Sequence, residues 1–102
     1  GGLLTPERAR TLLPAISAAL GGPDGKPLEL HSHCNIALAP FAYAEAPGLG
    51  VATLHTAARP LANGSSQPAV ENVVANLQAA GTPVVLDMAA QAEVSDFIAR
   101  LA

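Results

Sequence analysis

The sequence predicts an α/β chain in which three parallel strands alternate with four helices. Three observations carry this. Apolar residues recur at helical spacing in four separate stretches. Short runs rich in Leu, Val and Thr fall between those stretches. Pro, Gly and Asp punctuate the junctions, as helix starts and stops require. Alternation at this spacing implies parallel strands joined by helical crossovers.

Thr5-Pro6-Glu7 reads as an N-cap, a proline at the first helical position and an early acid. The helix that follows carries Ala9, Leu12, Leu13, Ile16 and Leu20 on one face, and Pro14 inside it should kink or split it. Gly21 to Gly25 is a loop. Leu28 to His33 is a strand, Ile36 to Ala46 a helix closed by Pro47-Gly48, and Val51 to Thr56 a second strand. Arg59 to Gln67 is a polar loop. Pro68 opens a helix with Val70, Val73, Val74 and Leu77 on one stripe, stopped by Gly81. Val84 to Leu86 is the third strand. Asp87 caps a last helix bearing Val94, Phe97, Ile98 and Leu101. Asn63-Gly64 would suit a hairpin, but a helix follows it and the hairpin is rejected.

The chain has 102 residues, enough for one domain at most. Half the residues are hydrophobic and only 3% are aromatic, so Ala, Leu and Val must build the core. Parallel strands need cover on both faces and neighbours on both edges, so three of them look like a slice of a larger sheet or barrel. Five Lys and Arg against eight Asp and Glu leave no basic patch for nucleic acid. No apolar run approaches the ~20 residues of a membrane span. The Gly-Gly start shows no basic signal-peptide region, and the single cysteine, Cys34, fits a reducing compartment, so a cytoplasmic location is expected.

His31-Ser32-His33 is the sharpest chemical signal. Residues i and i+2 of a strand share a face, so two imidazoles converge at the C-terminal end of the strand, where parallel α/β folds place their sites. Such a pair suits a divalent transition metal, and equally an ordinary hydrogen-bonded pair. A metal site needs at least a third protein ligand. His55, at the end of the second strand, is a third ligand, a general acid or base, or a residue without a chemical role. The Ala62 to Pro68 loop leads into a helix N-terminus and offers N–H groups and hydroxyls to an anion, or simply a cap. Cys34 points to the face opposite the histidines. Glu29 shares their face, with no partner for its carboxylate nearby in sequence. Lys26, the only lysine, lies at the end opposite the site.

Leu28-Glu29-Leu30-His31-Ser32-His33-Cys34, followed by Ala37-Leu38-Ala39-Pro40, resembles the biotin-dependent carboxyltransferase family. That family includes oxaloacetate decarboxylase α-subunits and the carboxyltransferase domain of pyruvate carboxylases. Pro60 to Pro68 resembles the family's Ser-Gly-Gly-Thr-Ser-Gln-Pro loop, and Gly2-Leu3-Leu4-Thr5-Pro6 the stretch after its fifth strand. The resemblance implies that residues 1–102 are one partial domain, the C-terminal part of a (β/α)8 TIM barrel of ~250 residues, from after strand five through helix eight. It implies a divalent metal (Zn, Mn, Mg or Co) on His31 and His33, with the family's other two ligands, an Asp and a carboxylated Lys, having no counterpart here. Ser65 falls on the Thr that relays a proton between pyruvate and biotin, and Ser66 and Gln67 would bind substrate. His55, a second catalytic candidate, stands where many members carry Asp, and Ala52 where another Asp is common. The implied partners are a 2-oxo acid, biotin on a separate carrier domain, and the rest of the barrel or a second copy. The alternatives are a lyase of the hydroxymethylglutaryl-CoA type, on the same barrel with the same histidine pair, and a non-catalytic folding or oligomerising fragment.

Overall fold

The computed structural model describes residues 3–101. Gly2, part of the resemblance around Thr5-Pro6, lies outside them. The order is α1 (Pro6–Ala19), β1 (Leu28–Leu30), α2 (Ala39–Glu45), β2 (Val51–Leu54), α3 (Val70–Ala79) and α4 (Met88–Leu101), with single 3-10 turns at Gly22–Asp24, Ala46–Leu49 and Arg59–Leu61. The α/β class and the four helices agree with expectation. The sheet differs: it has two parallel strands, β1 beside β2.

α1 begins as its sequence requires, with the Thr5 hydroxyl accepting the Arg8 N–H at 3.2 Å. Pro14 does not split it: the helix runs unbroken through the proline. Pro14 and Arg10, whose carbonyl loses its partner, both lie on the exposed side, so water can serve that carbonyl. The expected stripe is only partly used. Ala9 and Leu13 are buried, while Leu12, Ile16 and Leu20 stay exposed.

α2 starts at Ala39 and not at Ile36. The first turn of a helix is where a proline costs no intrahelical hydrogen bond, and Pro40 sets that turn. Before it the chain makes a tight turn, with the Ala37 N–H on the Cys34 carbonyl at 2.9 Å and Ala37 at φ +60°. α3 likewise starts at Val70, two residues after Pro68. The Ala57 N–H donates to the Pro68 carbonyl and the Val70 N–H to the Ala57 carbonyl, which holds Pro68-Ala69 extended beside Ala57.

Val84 to Leu86 forms no strand. A groove of about 390 Å³, lined by Val51 and Leu54 of the sheet and Val73, Val74 and Leu77 of α3, separates this segment from β2. Val84 packs on the core and its carbonyl accepts the Gln78 amide at 3.1 Å, but Val85 is 99% exposed.

β1 and β2 pair with a bulge. Leu28 faces Val51, but Glu29 faces Thr53 and Leu30 faces Leu54, so Ala52 is an extra residue on β2. Both strands are shorter than expected. Pairing still continues one residue past β2, where the His55 N–H meets the Leu30 carbonyl at 2.9 Å.

The core joins Ala9 and Leu13 of α1, Leu30, Ala42, Tyr43, Ala46, Val51, and Val73 and Leu77 of α3. Ala9, Ala42 and Ala46 are fully buried, and their small side chains let backbone elements approach closely. α4 is helical, with Asp87 accepting the Ala90 N–H at 3.0 Å, yet it buries no residue. It lies against the Arg59–Leu61 turn and is tied to α3 by Ser95 donating to Glu71 at 3.1 Å.

Arg10 of α1 grips Glu45 of α2 with two nitrogens, one at 2.8 Å. The Arg10 hydrogen bond, with its charge adding to it, holds the Glu45 carboxyl below its ordinary range. A lowered folded-state value contributes stability that is present above the ordinary carboxylate range and lost as pH falls through the lowered one. The urea midpoint should therefore fall on acidification below that range, and Glu45→Gln should remove this part of the acid dependence. Salt should weaken it too, since the pair is exposed.

Candidate metal centre

The site is the C-terminal end of the two strands, roofed by the loop before α3. The outward-facing parity of Glu29 continues past the end of β1, so Glu29, His31 and His33 share one open face. Leu30, Ser32 and Cys34 turn inward and are buried. The bulge at Ala52 shifts the parity of β2 by one residue. It puts His55 on the histidine face and level with His31.

The buried phenol of Tyr43, on α2, fixes this end. Its hydroxyl accepts the Ser32 N–H at 3.0 Å and donates to the His55 carbonyl at 2.6 Å. Burial pushes the Tyr43 phenol above its ordinary value, which keeps the proton available for that donation. One side chain thus clasps the two segments that carry the histidines.

The loop closes from the other side. Asn63 (φ +69°) and Gly64 (φ +55°) are both left-handed and turn the chain tightly enough for the Ser66 N–H to reach the Asn63 carbonyl at 2.9 Å. The Cys34 N–H donates to the Ser66 carbonyl at 2.8 Å, and His33 Nδ1 donates to the Ser65 carbonyl. Ser65 and Ser66 therefore meet the strand end through their backbones, with Ser65 exposed beside His33. α3 has no side-chain cap, so capping does not account for the loop.

The functional atoms converge closely. His31 Nε2 and His33 Nε2 are 3.3 Å apart, and the Gln67 amide nitrogen lies 3.2 Å from the first and 3.3 Å from the second. His31 Nδ1 is 3.1 Å from His55 Nδ1, and His55 Nε2 is 3.0 Å from Glu29 Oε2. Glu29, without a visible partner in the sequence, thus has one on the neighbouring strand. Its pairing and its exposure on the open face remove the problem of a buried, unpaired carboxylate. Cys34 is a buried thiol on the opposite face, held above its ordinary value by burial.

The donor set fits half of a metal site. His33 donates from Nδ1 to a carbonyl, which leaves Nε2 with a lone pair in the neutral ring. Two nitrogens 3.3 Å apart match one edge of a tetrahedron with metal–nitrogen bonds of about 2.0–2.1 Å. Among the described residues no group of three His, Cys, Asp or Glu side chains is placed to hold a metal. His55 does not complete the set, because its Nδ1 faces the far side of the His31 ring.

An α/β chain with paired imidazoles beyond the ends of parallel strands is the class that fold and site define. No family model matches the chain. It is similar to the B subunit of pyruvate carboxylase from Methanocaldococcus jannaschii, 30% identical over 100 residues, which is 98% of this chain and 17% of that protein. It is also similar to the B subunit of pyruvate carboxylase from Methanothermobacter thermautotrophicus, 36% identical over 77 residues, covering 76% of this chain and 13% of that protein. These similarities support a relationship to the pyruvate carboxylase B subunits. The chain spans less than a fifth of the length of these relatives. No described helix is long and apolar enough to cross a membrane.

Tyr43→Phe should cost about 1–3 kcal/mol, because it leaves the buried Ser32 N–H without its acceptor. Urea unfolding measures the loss.

Proposed function

We propose that the chain is part of the carboxyltransferase barrel of a biotin-dependent enzyme acting on a 2-oxo acid of the pyruvate and oxaloacetate type. The single observation that carries this is the convergence of His31 Nε2 and His33 Nε2 under the Ser65-Ser66-Gln67 loop. It joins the two motifs by which the sequence resembles that family. The similarity to two proteins named as pyruvate carboxylase B subunits supports the same reading.

In this reading residues 1–102 form one partial domain, covering the barrel from after strand five through helix eight. His31 and His33 supply two ligands to a divalent metal, and the rest of the barrel supplies the others. When bound, the metal acts as a Lewis acid on the 2-oxo carbonyl. The Ser65 hydroxyl, on the loop beside His33, moves a proton to or from biotin presented by a separate carrier domain. Ser66 clamps the loop to the strand end. The Gln67 amide, within 3.3 Å of both ring nitrogens, would bind the substrate carboxylate. The apolar groove along β2 and the exposed stripe of α4, with Val94, Phe97 and Leu101, suit burial against the remainder of a barrel.

Carboxyl transfer from oxaloacetate to free biotin, measured in the protein that carries this chain, tests the reading. Ser65→Ala should slow it by about 10²–10⁴-fold, the usual worth of a positioned proton-transfer group. Ser65→Thr should retain activity. A Ser65→Ala protein as fast as wild type would remove the loop from the proton path. Calorimetric titration with Co²⁺ should likewise show binding that is lost in the His31→Ala, His33→Ala double variant.

A further inference from the structure

One carboxylate and two imidazoles stand in line across the open face of the sheet, from Glu29 on β1 through His55 beyond β2 to His31 beyond β1. The contacts allow one assignment of protons when the rings are neutral. The Glu29 carboxylate can only accept, so His55 donates its Nε2–H to Glu29 Oε2, 3.0 Å away. A neutral imidazole carries one N–H, so His55 Nδ1 then offers a lone pair. That lone pair faces His31 Nδ1 at 3.1 Å, and His31 must supply the proton between them. His31 is left with its lone pair on Nε2. That nitrogen is 3.3 Å from His33 Nε2, whose own lone pair is fixed by the His33 Nδ1 bond to the Ser65 carbonyl. The Gln67 amide, within 3.3 Å of both nitrogens, is the donor that two converging lone pairs require in the metal-free chain.

We infer that Glu29 and His55 are a positioning pair, which holds His31 in its Nδ1–H tautomer and aims its Nε2 lone pair at a divalent cation. The inference rests on the metal reading above and concerns how that site is held. Neither residue touches the metal. A ligating imidazole that donates its other N–H into a chain ending on a carboxylate is oriented and made a stronger donor, and loss of such a partner typically weakens metal binding 10–100-fold. His33 obtains the same service from the Ser65 backbone carbonyl, so each ligand has its own anchor. Only the anchor of His31 is made of side chains.

Two measurements on the intact protein test this. With ¹⁵N placed only in histidine, and the rings neutral, NMR of the metal-free wild type should show His31 protonated on Nδ1. In Glu29→Ala or His55→Phe, His31 should become a mixture of both tautomers. Calorimetric titration with Co²⁺ should show binding weakened about 10–100-fold in Glu29→Ala and by less in Glu29→Gln, whose amide oxygen still accepts from His55. Both positions are exposed, so the variants should keep the fold, and His33 should remain on its Nδ1–H tautomer as an internal control. His31 protonated on Nε2 in wild type overturns the proposal. So does Co²⁺ binding that is lost in His31→Ala yet unchanged in Glu29→Ala, an outcome that leaves the metal reading standing. No binding by wild type overturns both.

Discussion

The Tyr43 hydroxyl is the bond on which the rest of the site depends. Each strand is only three or four residues long, and the histidines lie beyond the strand ends. Outside a sheet, a backbone N–H and a backbone C=O have no ladder to hold them. Tyr43 takes one from each segment, the Ser32 N–H and the His55 carbonyl, and does so from inside the core. The phenol ring is fully buried, so its hydroxyl has little freedom to seek other partners. A hydrogen bond in that setting is stronger than in water and costly to leave unmade. The imidazole geometry thus rests on how α2 packs, although α2 contributes no atom to the imidazole cluster.

Much of the architecture was readable because it rests on local rules. Thr5-Pro6 and Asp87 mark helix starts whose side-chain caps are in place. The paired imidazoles follow from a period of two. Other features depend on contacts remote in sequence. Pro14 reads as a break, yet the solvent side of α1 tolerates it. Val84 to Leu86 has the composition of a strand, but composition does not reveal that a groove lies between it and β2. Glu29 has no partner near it in sequence because that partner, His55, comes 26 residues later, just past the end of the neighbouring strand. Ser65 stands out in the sequence by its hydroxyl, whereas its carbonyl is the atom that meets His33. Backbone groups are the same in every residue, and a sequence cannot advertise them.

The two halves of the molecule are held in different ways. Around Tyr43, buried alanines bring α1, α2 and the sheet close together, and the site inherits that rigidity. α4 relies on the Ser95–Glu71 bond and a turn, and its apolar residues Met88, Val94, Phe97 and Leu101 stay exposed. Local opening should be easiest where buried contacts are fewest. The rings of His31 and His55 are themselves exposed, but the segments that carry them are anchored from within the core by the buried Tyr43.

The bulge at Ala52 gives β2 one position that neither packs nor pairs. Ala52 is exposed and without a ladder partner, so its side chain is free to vary. Val51 and Leu54 are not, because both pack in or on the core. Parity along a strand is a count modulo two, and the supernumerary residue is what lets Val51 and His55, an even number of steps apart, face opposite ways. Deleting Ala52 would leave plain alternation with the same partners, Leu28 against Val51, Glu29 against Thr53 and Leu30 against Leu54. The bulge is thus the place where this strand can lose a letter and still present an imidazole beside His31.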